Sequence, residues 1–183
     1  MDDIYIEKVK NGDVEAFRYF VRQYQHMAYS VAISVVKDEF LAEEVVQEAF
    51  INVYNKLDSF KGNSKFSTWL YRIVINKAFR SLDKQKKLSY ESIDDAETVL
   101  SDDSFEPLSK DEQSYYINET LQQMPPKESL ALRLFYLQEM SMEELQDVTG
   151  WSLSNVKVIL HRARKRFYTL INALLKTEVN SIL

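Results

Sequence analysis

The chain has 183 residues, no cysteine, three glycines, three prolines and a formal net charge of −5. Without cysteine there is no disulfide framework and no thiolate metal site, which fits a reducing compartment. No run approaches the eighteen or so apolar residues of a membrane span, and the acidic start Met-Asp-Asp-Ile-Tyr leads into no signal-like apolar stretch, so a soluble cytoplasmic protein is expected.

Scarce Gly and Pro beside plentiful Leu, Glu, Lys, Ala and Gln read as an all-α chain. A short helix over residues 3–11 ends at Asn11-Gly12-Asp13. From Val14 to about Val36, the positions Phe17, Phe20, Val21, Tyr24, Met27, Ala28, Val31 and Val35 follow helical spacing and form a core face. Asp38 is the N-cap of a third helix, residues 39–57, with Phe40, Ala42, Val45, Ala49, Val53 and Leu57 near one face. Its other face reads Glu43, Glu44, Gln47, Glu48, Asn52 and Asn55. Such an acidic face is usually solvated, and a partner-binding role stands beside that reading.

Residues 58–65 form a loop, followed by a fourth helix from Phe66 to about Lys87, buried through Phe66, Trp69, Leu70, Ile73 and Val74. Along its outside, Arg72, Asn76, Arg80, Lys84 and Lys87 make one polar ridge. Residues 61–87 hold eight bases and one acid, Asp83, a balance that suits phosphates. Residues 89–109 carry seven acids and no base, have no helical period and end near a proline, so they read as a flexible acidic linker.

Residues 110–123 form a helix that Met124-Pro125-Pro126 breaks, and Lys127–Leu137 form the next, with Leu130, Leu134 and Leu137 inward. Ser141 and Glu144 make a capping box, Gly150 stops that helix, and Ser152 caps another. Two short helices joined by a glycine turn are the helix-turn-helix pattern, whose second helix lies in the DNA major groove. Val156, Leu160, Ala163, Phe167, Ile171 and Leu174 face the core, while Lys157, Arg162, Arg164, Lys165, Arg166 and Lys176 meet no acid between Gly150 and Lys176. The organisation is therefore two small helical domains, 1–88 and 110–183, joined by the linker 89–109. There is no glycine-rich phosphate loop, no His-Glu-x-x-His and no Gly-x-Ser-x-Gly, so the chain reads as a non-enzyme with no metal and no cofactor.

Four segments in order resemble the bacterial sigma factors, within them the small two-domain extracytoplasmic-function group: Asn-Gly-Asp-Val-Glu-Ala-Phe at 11–17, Ala-Glu-Glu-Val-Val-Gln-Glu-Ala-Phe at 42–50, Phe-Ser-Thr-Trp-Leu-Tyr-Arg-Ile-Val-Ile-Asn at 66–76, and Met-Pro-Pro-Lys-Glu with Leu-His-Arg-Ala-Arg-Lys at 124–128 and 160–165. The resemblance implies that Glu43, Glu44, Gln47 and Glu48 dock on core RNA polymerase. It implies that Lys61, Gly62, Asn63, Ser64, Ser67, Arg72, Asn76, Lys77, Arg80 and Lys84 meet the minus-ten promoter element, a flipped base being held by the loop. Lys86 and Lys87 would add phosphate contacts, and Trp69 is core. In the second half Asn155, Lys157, Val158, His161, Arg162 and Lys165 would read the minus-thirty-five element as duplex.

An anti-sigma protein, often membrane-bound, is a further implied partner. Three positions depart from the family pattern: Val158 and Ile159 stand where polar reading residues are usual, and Arg80 where an acid or Asn is common. A helix-turn-helix repressor, or a decoy that binds polymerase or an anti-sigma without reading DNA, is the alternative.

Overall fold

The computed structural model describes residues 1–88 and 110–182; the expected linker, 89–109, lies outside them. Helix α1 (Asp2–Lys10) has two acids in its first turn and Lys8 and Lys10 in its last, the arrangement that the helix dipole favours. Asp2 accepts hydrogen bonds from the hydroxyls of Tyr19 (2.9 Å) and Tyr24 (2.6 Å), and the Tyr5 and Tyr19 rings stack at 4.0 Å, so α1 is tied to the helix that follows. Asp13 takes the Ala16 amide at 3.1 Å and starts a 3-10 turn, Val14–Phe17, before α2 (Arg18–Val36). The sequence led us to expect regular helix from Val14; the first turn is the tighter form common at helix starts.

Helix α2 is the axis of the molecule. Phe20, Ala28, Val31, Ala32, Val35 and Val36 are buried along it, and it packs against both later helices of its own half and helices of the second half. It ends without glycine: Lys37 closes it in the left-handed region (φ 61°). That turn releases Asp38, whose carboxylate accepts the Leu41 amide at 2.8 Å and begins α3 (Glu39–Lys56) as expected. Ala42, Val45, Ala49, Val53 and Leu57 are buried, but Phe40 is 86% exposed. Nine residues at 3.6 per turn put Phe40 half a turn from Ala49, on the opposite side of the helix, which corrects its expected place on the core face.

After a 3-10 turn, Leu57–Ser59, the loop is fixed by Phe60, whose carbonyl accepts the Lys10 ammonium at 3.0 Å. Helix α4 (Phe66–Leu88) then buries Phe66, Leu70, Tyr71, Val74, Ile75 and Ala78. Trp69 lies half-buried, 5.1 Å from the Phe60 ring and 5.9 Å from Phe66, a packing position as expected.

The second half comprises α5 (Lys110–Gln123), α6 (Pro126–Leu132), α7 (Met142–Thr149) and α8 (Leu153–Ile182). Pro126 occupies the first turn of α6, where its missing N–H costs nothing. Leu130 and Leu134 are fully buried, but Leu137 is 44% exposed, against expectation. Residues Arg133–Leu137 form a π turn, closed by the Gln138 amide on the Arg133 carbonyl at 3.0 Å; its extra residue carries Leu137 off the inward line. The capping box is present, with the Glu144 amide on Ser141 Oγ at 3.1 Å and the Ser141 amide on Glu144 Oε2 at 2.9 Å. Gly150 (φ 72°) ends α7, and Ser152 Oγ accepts the Asn155 amide at 3.3 Å at the start of α8.

The two halves do not stand apart. Helix α2 packs on α6, α4 packs on α7, and one continuous buried cluster runs from Phe20 and Val74 through Leu121 and Leu130 to Leu160. Polar contacts pin this seam at two ends. At one, Lys37 Nζ donates to the Leu121 carbonyl (2.5 Å), Gln122 Nε2 to the Lys37 carbonyl (2.9 Å), and Arg133 Nε to Ser34 Oγ (2.6 Å). At the other, the Tyr71 hydroxyl donates to Gln138 Oε1 (2.7 Å) and Arg72 Nε to the Asp147 carbonyl (2.7 Å).

Candidate nucleic-acid and polymerase interfaces

Three polar faces come out of this packing. On α3, Glu43, Glu44, Gln47 and Glu48 are all exposed, because the small buried residues Ala42 and Ala49 turn the other side inward. Beside them a groove of about 250 Å³ is lined by Gln25, His26, Tyr29, Glu43, Val46 and Gln47. The Tyr29 phenol is raised, first by burial and then by the negative field of Glu39 and Glu43. Phe40 and Ile51, the latter 60% exposed, each stand four residues from a member of the stripe, Glu44 and Gln47, so the acidic stripe is capped by apolar side chains at both ends. The sequence reading missed these two; their helical register with Glu44 was the available signal.

The second face joins the loop before α4 to the outside of that helix. Lys61, Gly62 and Asn63 are exposed, and Ser64 and Ser67 half-buried. Gly62 has φ 72°, a conformation that side-chain-bearing residues rarely adopt. Arg72, Asn76, Arg80 and Lys84 are exposed at steps of four, a row of about 18 Å along the helix axis. One member of this row, and the half-buried Lys77 beside it, are engaged within the chain. Arg72 binds the Asp147 carbonyl, with Asp147 Oδ1 4.0 Å from its NH2 group, and Lys77 pairs with Glu48 of the acidic face. Residues assigned to different partners, Lys77 and Glu48, are thus in contact with each other.

The third face is on α8. Asn155, Lys157, Val158, His161, Arg162 and Lys165 are all exposed, while Val156, Ile159, Leu160 and Ala163 are buried. Of the two apolar departures, only Val158, 47% exposed, is on the outer side; Ile159 is 9% exposed and belongs to the core, so its place among reading positions is corrected. Arg164 turns away to donate to the Tyr136 hydroxyl at 2.7 Å and covers the Phe135 and Tyr136 rings, and Arg166 pairs with Glu128 at 2.9 Å. The basic count of α8 therefore divides: Arg164 and Arg166 brace the helix, while Lys157, Arg162 and Lys165 remain on its outer face. Among the described residues no group of three or more His, Asp or Glu is placed to hold a metal ion, and no helix is long and apolar enough to cross a membrane.

Residues 20–88 match the family model of sigma-70 region 2, and residues 114–167 that of sigma-70 region 4. The chain is 32% identical to the RNA polymerase sigma-H factor of Pseudomonas aeruginosa, covering 96% of each. It is also 32% identical to the ECF (extracytoplasmic-function) RNA polymerase sigma-E factor of Escherichia coli, again over 96% of each, and 32% to the ECF sigma factor SigW of Bacillus subtilis, over 87% of this chain and 91% of SigW. This chain is an extracytoplasmic-function sigma factor. Two solved structures share the fold of this sigma factor. One is CnrH in complex with the cytosolic domain of CnrY (22% identity, 93% of this chain and 96% of that one, TM-score 0.65). The other is the sigma factor RpoE in complex with the anti-sigma factor NepR from Bartonella quintana (20%, 87% and 98%, TM-score 0.64). As a sigma factor, the protein directs promoter-specific transcription initiation.

Proposed function

We propose that the three exposed faces divide the work of initiation. The α3 face, with Glu43, Glu44, Gln47 and Glu48 at its centre and Phe40 and Ile51 at its ends, docks on core RNA polymerase. Residues 1–88 form the domain that also meets the minus-ten element. There Lys61, Gly62, Asn63, Ser64 and Ser67 offer backbone and small polar groups to an extruded base, Arg72, Asn76 and Arg80 face the strand, and Lys77 and Lys84 neutralise phosphates. Strand separation is driven by binding energy for the single-stranded form, and catalysis remains with the polymerase in the cytoplasm.

Residues 110–183 form the domain that reads the minus-thirty-five duplex. Arg162 and Lys157 reach guanine edges or phosphates, Val158 meets a thymine methyl, and Asn155, His161 and Lys165 complete the contact surface. An anti-sigma protein is a fitting regulator, since one fold neighbour is a sigma factor in complex with an anti-sigma factor.

The observation that supports this reading most is the exposure of a mainly polar row on each of α3, α4 and α8, in the regions that match sigma-70 regions 2 and 4. Mixing the protein with sigma-free core polymerase and sequencing run-off transcripts from fragmented genomic DNA tests it. Discrete start sites preceded by a shared two-part motif are expected. A stable complex without start sites would indicate a decoy, and duplex binding without a polymerase complex a repressor.

A further inference from the structure

The loop before α4 is tied to the rest of the fold only at its ends. Between Lys61 and Lys65 no main-chain amide makes a hydrogen bond among the described residues. The stretch therefore offers free donors, but nothing within it fixes where they point. At its far end the Lys65 carbonyl accepts the Trp69 amide at 3.2 Å as α4 begins. At its near end the Phe60 ring packs on Phe66 and Trp69, and the Phe60 carbonyl accepts Lys10 Nζ at 3.0 Å.

Lys10 is the last residue of α1, 50 positions earlier in the chain. That helix precedes residues 20–88, the stretch matched to sigma-70 region 2, so the match gives it no part. Yet α1 is firmly seated: Ile6 is buried, Tyr5 stacks on Tyr19, and Asp2 accepts the Tyr19 and Tyr24 hydroxyls. The Lys10 ammonium thus stands on a fixed base, and among the described residues it pairs with no carboxylate.

A trans peptide unit is planar, with its C=O and N–H pointing opposite ways. A donor that fixes the Phe60 carbonyl therefore also aims the Lys61 N–H, the first of the free amides. Phe60 is buried, so its carbonyl, deprived of Lys10, would turn toward water to find a donor, and the 60–61 plane would rotate with it. Gly62 would pass that rotation on, since glycine moves between backbone conformations that other residues resist. Holding the loop in one form before a base arrives also removes part of the ordering cost of binding.

We propose that Lys10 is a positioning residue for base capture: its ammonium fixes the 60–61 peptide and so aims the free amides of the loop at the extruded base. This rests on the reading of the loop as the pocket for that base.

Holoenzyme assembled from the protein and core polymerase is titrated with single-stranded oligonucleotides carrying the minus-ten motif recovered by the run-off experiment. Substituting each motif base in turn finds the position at which the wild type discriminates most. Lys10→Met should reduce discrimination at that position by about three- to tenfold, the worth of one hydrogen bond, while affinity for core polymerase and for the minus-thirty-five duplex stays at the wild-type value. Lys10→Arg keeps a charged donor and should keep the discrimination. A methionine variant that discriminates as well as wild type overturns the proposal. So does an equal loss for every oligonucleotide, the mark of a phosphate contact, or an arginine variant as impaired as the methionine one. A wild type that binds all the oligonucleotides alike would remove the minus-ten reading of the loop, and the proposal with it, whereas discrimination that survives in Lys10→Met counts against Lys10 alone.

Discussion

Replacing Lys37 by methionine removes one of the two charges at the Leu121 end of the seam, Arg133 remaining, while keeping the side chain's length. Burial, with the nearby Arg133 guanidinium adding to it, pushes the Lys37 ammonium down from 10.5 to about 7. In the unfolded chain the side chain stands in water, keeps the ordinary value and so binds more protons between pH 7 and 10.5. Rising pH through that window therefore stabilises the fold, by up to about tenfold per unit in its equilibrium constant, and below pH 7 both forms are protonated and this dependence vanishes.

Lys37→Met lifts that penalty and leaves the Leu121 carbonyl satisfied, because Ser129 Oγ also donates to it at 2.8 Å. The variant should be more stable than the wild type at pH 7 and lose this pH dependence. Urea unfolding followed by circular dichroism from pH 6 to 9 reads it. A Met variant whose stability follows pH with the same slope as the wild type would refute the reasoning.

Arg162→Ala should weaken duplex promoter binding by roughly 1–3 kcal/mol if the guanidinium meets a base edge, and titration at fixed salt measures it; unchanged affinity removes Arg162 from the reading face. Glu44→Lys with Glu48→Lys should abolish the complex with core polymerase while circular dichroism shows the helices intact, and a normal holoenzyme would sink the docking assignment. Leu134→Ala, at a position with no exposure, should cost about 3 kcal/mol and lower the melting temperature by roughly 6–12 °C. A drop under about 2 °C would mean that the π turn collapses to fill the gap.

Much of this structure was legible from local chemistry. Asp38, Ser141 with Glu144, Gly150 and Ser152 announce helix ends, and each makes the contact its type suggests. Core faces of α2, α4 and α8 follow the 3.6-residue period. The failures have physical causes. Phe40 is apolar and near the right helix but on its far side, and Leu137 is displaced by a π turn that no periodicity reveals. Ile159 stands where the family pattern usually has a polar reading residue, but its side chain is buried in the core.

The seam escaped entirely, since Ser34 and Arg133 lie 99 positions apart and nothing local in either marks the other. Lys37 gave no signal either, because a left-handed helix end is normally announced by glycine. On the interfaces, the acidic, ridge and recognition faces were all readable as stripes, but not that Arg72 and Lys77 would be engaged within the chain.

The contact between Glu48 and Lys77 has a thermodynamic side. It ties a carboxylate of the stripe proposed to dock on polymerase to an ammonium of the one proposed to meet DNA, with 48% and 27% of their side chains exposed. A cation that takes Glu48 leaves Lys77 available to an anion, and an anion on Lys77 leaves Glu48 available in turn. Whichever partner arrives first breaks the pair, and the second is spared that cost. Linkage makes the assistance equal in both directions. A pair this exposed is worth at most about 1 kcal/mol, so polymerase and promoter would each tighten the other by no more than about fivefold through it.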